Sequence, residues 1–286
     1  MGDCLRDSSP LARLVALALA VVGVGCSART IVAVDPYPCS DAGVTGCGPG
    51  LLDDLIGYWR LDDAVGSVGA RDWSGWANDG TLVGIDPATA WVADGPEGGA
   101  LSVQGKGYVN VPDSASIDSI TDQLTIAAWI FLQGTITDYA TVISRQIATG
   151  FDQHYHLSVN AQQQAILFIT TPNSGQVVLG GPMTVPQQVW VHLAGTYDGS
   201  QARLYVNGTE VGDLPASGPF ATETNPVTLS GNGNGTDKTV SEFVPGQLDE
   251  VMLYRRALGP DEIARLAGGA LLPAGGAHSD AGPSGN

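Results

Sequence analysis

The stretch Trp190-Val191-His192-Leu193-Ala194-Gly195-Thr196-Tyr197-Asp198-Gly199-Ser200, followed by Arg203-Leu204-Tyr205-Val206-Asn207-Gly208, decides the fold. Two runs of apolar, aromatic and β-branched residues, each of strand length, end in Asp-Gly-Ser and Asn-Gly. Asn-Gly accepts the positive φ that tight hairpins require, which makes it the strongest short hairpin signal in the chain. The same rhythm runs outward in both directions. Residues 124–132, with Trp129 at the centre, 141–144, 155–159 and 165–170 read as strands upstream, and 227–231 and 246–254 read as strands downstream. One short helix closes the series. Pro260 suits its first position, Asp261 and Glu262 complement its dipole, Ile263 and Leu266 dock, and Gly268-Gly269 ends it.

Composition agrees with this reading. The 286 residues include 39 Gly and 17 Pro, too many for a helix bundle, while 43% hydrophobic and 14% charged residues exclude a charge-rich disordered chain. Twelve Lys and Arg face 29 Asp and Glu, a formal charge of −17. Phosphate binding requires clustered basic residues, so nucleic acid and anionic membrane are excluded as the main partner.

Residues 14–24 form one apolar run behind Arg6 and Arg13, too short to span a bilayer and suited to the hydrophobic region of an export signal. Four cysteines are present. Cys4 would leave with the signal, and Cys39 and Cys47 stand in a Gly/Pro-rich spacer, where they read as a disulfide formed in an oxidising compartment or as two free thiols. Residues 26–54 read as a tether, 55–268 as the folded domain and 269–286 as a disordered tail.

Several pieces resemble the laminin-G-like jellyroll domains of the concanavalin A-like lectin/glucanase superfamily. They are Gly57-Tyr58-Trp59-Arg60-Leu61-Asp62, Asp72-Trp73-Ser74-Gly75, Asn78-Asp79-Gly80-Thr81-Leu82, Gly98-Gly99-Ala100-Leu101, the hairpin quoted above, Gly246-Gln247-Leu248-Asp249-Glu250-Val251 and Tyr254-Arg255-Arg256-Ala257-Leu258. The resemblance implies an all-β, two-sheet antiparallel jellyroll sandwich with one short C-terminal helix, its first and last strands close together. Separately, Gly23-Val24-Gly25-Cys26 resembles the lipobox of bacterial lipoproteins. That likeness implies a signal peptide over residues 1–25, acylation of Cys26 and an envelope location, with Ser27 pointing to the outer membrane; ordinary signal cleavage is the alternative.

Fold does not give function, so the sites must. Retaining glucanases of this superfamily alternate acidic residues along one strand, and no Glu-x-Asp-x-Glu run occurs here. Asp249 and Glu250 are adjacent, and strand alternation predicts that they point to opposite sheet faces. No Gly-x-Ser-x-Gly elbow is present. Alternation also sets His154 and His156 on the face opposite Tyr155, Leu157 and Val159, where they either chelate zinc or stack on a sugar, or stand as solvent-facing strand histidines. His192 reads as a maker of an interior hydrogen bond. Family members bind a structural calcium near the N-terminal loop and the final strand, which implies Asp72, Asn78 and Asp249 as ligands, with Asp62 next; the alternative is that these side chains cap turns. Trp59, Trp129 and Trp190 read as core, whereas Trp73, Trp76 and Trp91 fall in loops, where aromatics can stack on sugars.

The leading expectation is an envelope-anchored, non-catalytic binding module for a glycan or a surface protein. A glycoside-processing enzyme and a structural or adhesion spacer are the alternatives.

Overall fold

The computed structural model describes residues 50–147, 153–233 and 239–269. Cys26, Cys39 and Cys47 lie outside the described residues, as do the signal and tail. Eighteen strands and two α-helices are described. In chain order the first strands are β1 (Leu55–Trp59), β2 (Gly69–Ala70), β3 (Gly80–Val83), helix α1 (Pro87–Ala90), β4 (Trp91–Gly95), β5 (Gly98–Ser102) and β6 (Tyr108–Val111). Next come β7 (Leu124–Leu132), β8 (Tyr139–Gln146), β9 (Gln153–Asn160), β10 (Gln164–Thr171), β11 (Gly175–Thr184) and β12 (Trp190–Tyr197). The series ends with β13 (Gln201–Val206), β14 (Thr209–Pro215), β15 (Val227–Leu229), β16 (Asn232–Gly233), β17 (Val240–Ser241), β18 (Gly246–Tyr254) and helix α2 (Pro260–Ala267).

Two antiparallel sheets result. The first runs β14-β13-β12-β7-β18-β5-β4, with β1 also paired to β18; the second runs β11-β10-β9-β8-β15-β6-β3-β2. The first and last strands are therefore hydrogen-bonded neighbours, as the jellyroll resemblance implies. Alternation along β12 shows how the layers meet: Val191, Leu193 and Tyr197 enter the core between the sheets. At the third position of that row Gly195 is required, because a Cβ there would lie 2.6 Å from Leu167 of the opposite sheet. Leu157, Val159, Leu167 and Ile169 answer from β9 and β10.

Both sheets are covered on their outer faces too. Helix α2 lays Ile263 and Leu266 on Ala127, Ala194, Tyr205, Met252 and Tyr254 of the first sheet, forming a second apolar cluster. Full burial of those two side chains contributes roughly 1.5–3 kcal/mol each, and the Glu262 carboxylate fixes the helix start by accepting from Gly259 N at 2.9 Å. Trp59 is fully buried, but Trp129 and Trp190 are not core residues. Their neighbours Ala128 and Val191 face inward, so alternation turns both indoles to the outer face of the first sheet.

Over the second sheet lies the segment carrying β16 and β17. Ser144 and Thr228 both donate to Gly231 O, at 3.0 and 2.6 Å, Thr141 N donates to Glu242 O at 2.8 Å, and Phe243 stacks on Tyr108. This cover, contributed from about a hundred residues downstream of β8, creates the site described next.

Candidate functional site

On β9 the core takes Tyr155, Leu157 and Val159, and alternation sends His154, His156 and Ser158 to the outer face of the second sheet. The expected face is correct. The expectation that the histidines meet solvent is not: His154 is 3% exposed and His156 is 1% exposed. Register sets Ser144 and Phe168 beside His156, with Thr141 and Ile166 beside Ser158. The ring of His156 stacks on Phe168 at 4.8 Å, with Tyr139 edge-on to both, and His154 leans on Phe220 at 5.8 Å. Burial, helped at His154 by Arg145, pulls the imidazoles down to about 4 for His154 and about 3 for His156, so both are neutral near pH 7. A neutral imidazole offers one donor and one acceptor.

Those capacities are largely unused. His154 Nε2, His156 Nδ1, Ser158 Oγ, Thr170 Oγ1, Gln146 Nε2 and Asn232 Oδ1 are buried without a hydrogen-bond partner. They make up six of the eleven such atoms among the described residues, gathered on one face of three neighbouring strands and the hairpin above them. Folded proteins leave few buried polar groups unpaired, because each costs about 1–3 kcal/mol. A face so rich in unanswered donors and acceptors, interleaved with Tyr139 and Phe168, is complementary to a molecule that alternates hydroxyls with apolar C–H surface.

His156 Nε2 lies 2.8 Å from Thr141 Oγ1, yet the carboxylate of Glu242 holds the hydroxyl at 3.0 Å and does not hold Nδ1, so no carboxylate orients the imidazole as a base. Glu242 touches this face directly, and Asp138 acts on both Tyr139 and Glu242. One end of the sandwich is locked by Arg145, which binds Asp113 at 2.7 Å and Asp118 at 2.5 Å and donates to three main-chain carbonyls.

The residues given for calcium do not converge. Asp72 Oδ1 accepts from Tyr58 N and Ser74 N, and Oδ2 accepts from Ser74 Oγ and Asn78 N, at 2.7–2.9 Å. Asn78 Oδ1 accepts from Ser114 and Ser116, while its Nδ2 donates to Ile56 O at 2.6 Å. Each of these oxygens already has two donors, which fills its lone pairs; Asp72 and Asn78 knot the loop after β1. Asp249 makes its bonds elsewhere, with Glu97 N at 3.4 Å and Glu250 N at 2.9 Å. Among the described residues no three of His, Cys, Asp and Glu stand together so as to hold a metal ion.

Asp249 and Glu250 do not point to opposite faces. Register with β7 breaks between Asp249 and Met252, Glu250 has φ 50°, and Leu248 and Val251 both enter the core. This bulge turns both carboxyls outward. Tyr58 donates to Glu250 Oε2, Arg60 lies 3.7 Å from Oε1, and Asp62 is paired with Arg60 at 2.7 Å. Burial first, then mutual repulsion, pushes Asp249 up to about 8; burial also pushes Glu250 up to about 7, against the pull of Tyr58 and Arg60. His192 stands nearby, edge-on to Trp129 at 5.4 Å and drawn down to about 4 by burial, and its Nδ1 lacks the expected interior hydrogen bond.

Of the loop tryptophans, Trp91 packs inward and donates to Ser67 O at 2.9 Å. Trp73 and Trp76 are 45% and 51% exposed, with Arg71 over Trp73 at 4.3 Å and Arg255 over Trp76 at 5.9 Å.

A laminin-G-like family model, described as the concanavalin A-like lectin/glucanases superfamily, matches residues 103–264. No curated protein matches the chain. Among solved structures, the chain is similar to domain 4 of AbnA, a GH43 extracellular arabinanase from Geobacillus stearothermophilus, in complex with arabinotriose: 21% identity, TM-score 0.55, covering 75% of this chain and 98% of that one. It is also similar to the binding domain of Paraclostridial Mosquitocidal Protein 1, at 15% identity and TM-score 0.57, covering 77% of this chain and 53% of that one. The binding domain of botulinum neurotoxin DC, in complex with rat synaptotagmin II, matches at 12% identity and TM-score 0.57, covering 78% and 53%. The chain thus spans about half the length of these toxin binding domains. Each likeness is one of fold.

Proposed function

We propose that this chain, which belongs to the concanavalin A-like lectin/glucanase superfamily, is an exported, non-catalytic binding module whose ligand is a glycan held on the outer face of the second sheet. The observation that carries the reading is the set of unpartnered buried polar atoms on His154, His156, Ser158, Thr170, Gln146 and Asn232, set among aromatic rings. Sugars present what that face lacks, hydroxyls that donate and accept and C–H faces that stack on rings. Non-catalytic recognition suits a face whose histidines stay neutral throughout the physiological range and whose Glu242 carboxylate is taken up by Thr141.

The test is a glycan array followed by calorimetry with the tightest oligosaccharide. Ser158→Ala and His154→Gln each remove one group offered to the ligand, and each is expected to weaken binding about tenfold, the worth of roughly one hydrogen bond. Melting temperatures within a few degrees of wild type would show that the fold is intact. Full affinity in both variants would place the glycan on some other surface.

Anchorage is proposed on sequence alone. Cys26→Ala is expected to abolish palmitate labelling in the native host, because the lipid is carried by that sulfur. Equal labelling of the variant and the wild type would refute it.

A further inference from the structure

We propose that Glu242 sets the specificity of this face: acting through Thr141 it holds His156 with Nε2 protonated and Nδ1 open as an acceptor, and its charge bars acidic sugars, so that the ligand is a neutral glycan donating a hydroxyl to His156. The inference rests on the glycan reading above and names the ligand class for it.

Thr141 Oγ1 lies 3.0 Å from Glu242 Oε2 and 2.8 Å from His156 Nε2. A hydroxyl has one hydrogen, and an ionised carboxylate can only accept, so that hydrogen goes to Glu242. The threonine oxygen then accepts, and Nε2 of His156 must be the donor. In a neutral imidazole this leaves Nδ1 bare, and Nδ1 is the buried atom of His156 that has no partner. Whatever meets it must bring a proton. A hydroxyl does so, and a carboxylate or sulfate oxygen does not.

Glu242 is fixed in place by more than its side chain. Its carbonyl accepts from Thr141 N at 2.8 Å, and its backbone stands at φ 60°, a left-handed conformation that is unfavourable for a non-glycine residue and persists where surroundings enforce it. Burial raises its carboxyl, while bonds from Thr141 and Asn232 act in the opposite sense. Its ion-pair neighbour among the described residues is His156, 4.0 Å away and neutral. Arg145, the cation that faces His154, is occupied by Asp113 and Asp118. Among the described residues the face therefore holds the negative charge of Glu242, with Asp138 adding to it, and no free cation to receive an acidic sugar.

Long-range ¹H–¹⁵N spectra at pH 7 read the tautomer directly, with the His156 signals identified by their loss in His156→Phe. Wild type is expected to show a protonated Nε2 and a bare Nδ1. Thr141→Val and Glu242→Ala are expected to give a mixture of tautomers and at least a tenfold loss of neutral-glycan binding. Glu242→Gln keeps an acceptor for Thr141 and removes the charge, so it should retain neutral binding and gain uronic or sialylated glycans. A protonated Nδ1 in the wild type overturns the proposal, and so does wild-type binding of acidic glycans as tight as that of neutral ones. Should no array position bind, the glycan reading falls and takes the charge exclusion with it, while the spectrum alone still confirms or refutes the role of Glu242 at His156.

Discussion

Replacing Asp72 by alanine is expected to lower the stability of the domain by about 3–5 kcal/mol, the largest loss among the polar residues considered. Its carboxylate is 6% exposed at the residue level and accepts from three main-chain N–H groups and one hydroxyl, contributed by Tyr58, Ser74 and Asn78. A hydrogen bond to a charged group is worth about 1.5–3 kcal/mol, and donors stranded in a buried place add about 1–3 kcal/mol each, although such terms overlap and do not sum. Loss of the knot also frees Asn78, whose carbonyl holds the buried Trp59 indole at 2.9 Å. Asp72→Asn should fare nearly as badly, because its amide nitrogen would face donors. Urea denaturation measures the effect, with Asp94→Asn, on the edge strand β4, as a control expected to change stability by less than about 0.5 kcal/mol. A loss below 1 kcal/mol for Asp72→Ala would show that the loop is held by its other contacts.

The second large effect is on the response to pH, measured with chelator present so that divalent ions play no part. The folded-state pKa of Asp249, about 8, and that of Glu250, about 7, are raised above ordinary carboxyl values near 4. Raised carboxyls bind protons more tightly in the folded state, so their contribution is present at low pH and is lost as pH rises toward 8. The three buried histidines work the other way. Their folded values of about 4, 3 and 4 lie below the ordinary value near 6.5, so their contribution is present above pH 6.5 and is lost as pH falls. Stability should therefore peak near pH 6.5. Between there and pH 8 only the acid pair titrates, and the decline should amount to about 2–3 kcal/mol at 1.36 kcal/mol per pH unit for each proton released. Asp249→Asn is expected to flatten that decline and to raise the melting temperature at pH 8. A wild type more stable at pH 8 than at pH 6.5, or an Asp249→Asn protein with the wild-type slope, would show that the two carboxyls are not buried together.

How much of this the residue pattern reveals depends on whether the deciding contacts are local. The strand from Trp190 to Tyr197 and the Asn207-Gly208 turn are legible because alternation and turn chemistry are properties of neighbouring residues. Among the strands that escape that reading are two long ones. β11 contains Gly180, Gly181 and Pro182, and β14 contains Gly212 and ends on Pro215, so both lie on sheet edges where such residues are tolerated, and both look like loops in one dimension. The face bearing His154 and His156 is correctly assigned by period two. Its burial is not, since the covering residues Gly231, Glu242 and Phe243 are distant in sequence and carry no apolar pattern that marks them as a lid on β8. The Asp249-Glu250 bulge is hidden for a related reason: a strand of nine residues reads as regular, and only Leu248 and Val251 both lying in the core reveal the extra residue.

One consequence follows from the pairing of the first strand with the last. Leu55 opens β1 opposite Tyr254, where β18 ends, and the two crossings are stapled: Arg255 N donates to Asp54 O, its guanidinium meets Asp54 at 2.6 Å, and Arg256 donates to Gly50 O and Asp53 O at 2.9 Å. The chain thus enters and leaves the fold at a single seam, separated at its exit only by the eight residues of α2, about 12 Å of helix. A unit with its two junctions side by side can be spliced into a surface loop of an unrelated host without spreading that loop, and its order of strands can be permuted by a short joining peptide. Engineered this way, the module would travel as a cassette, presenting the second sheet while the first sheet bears both joints.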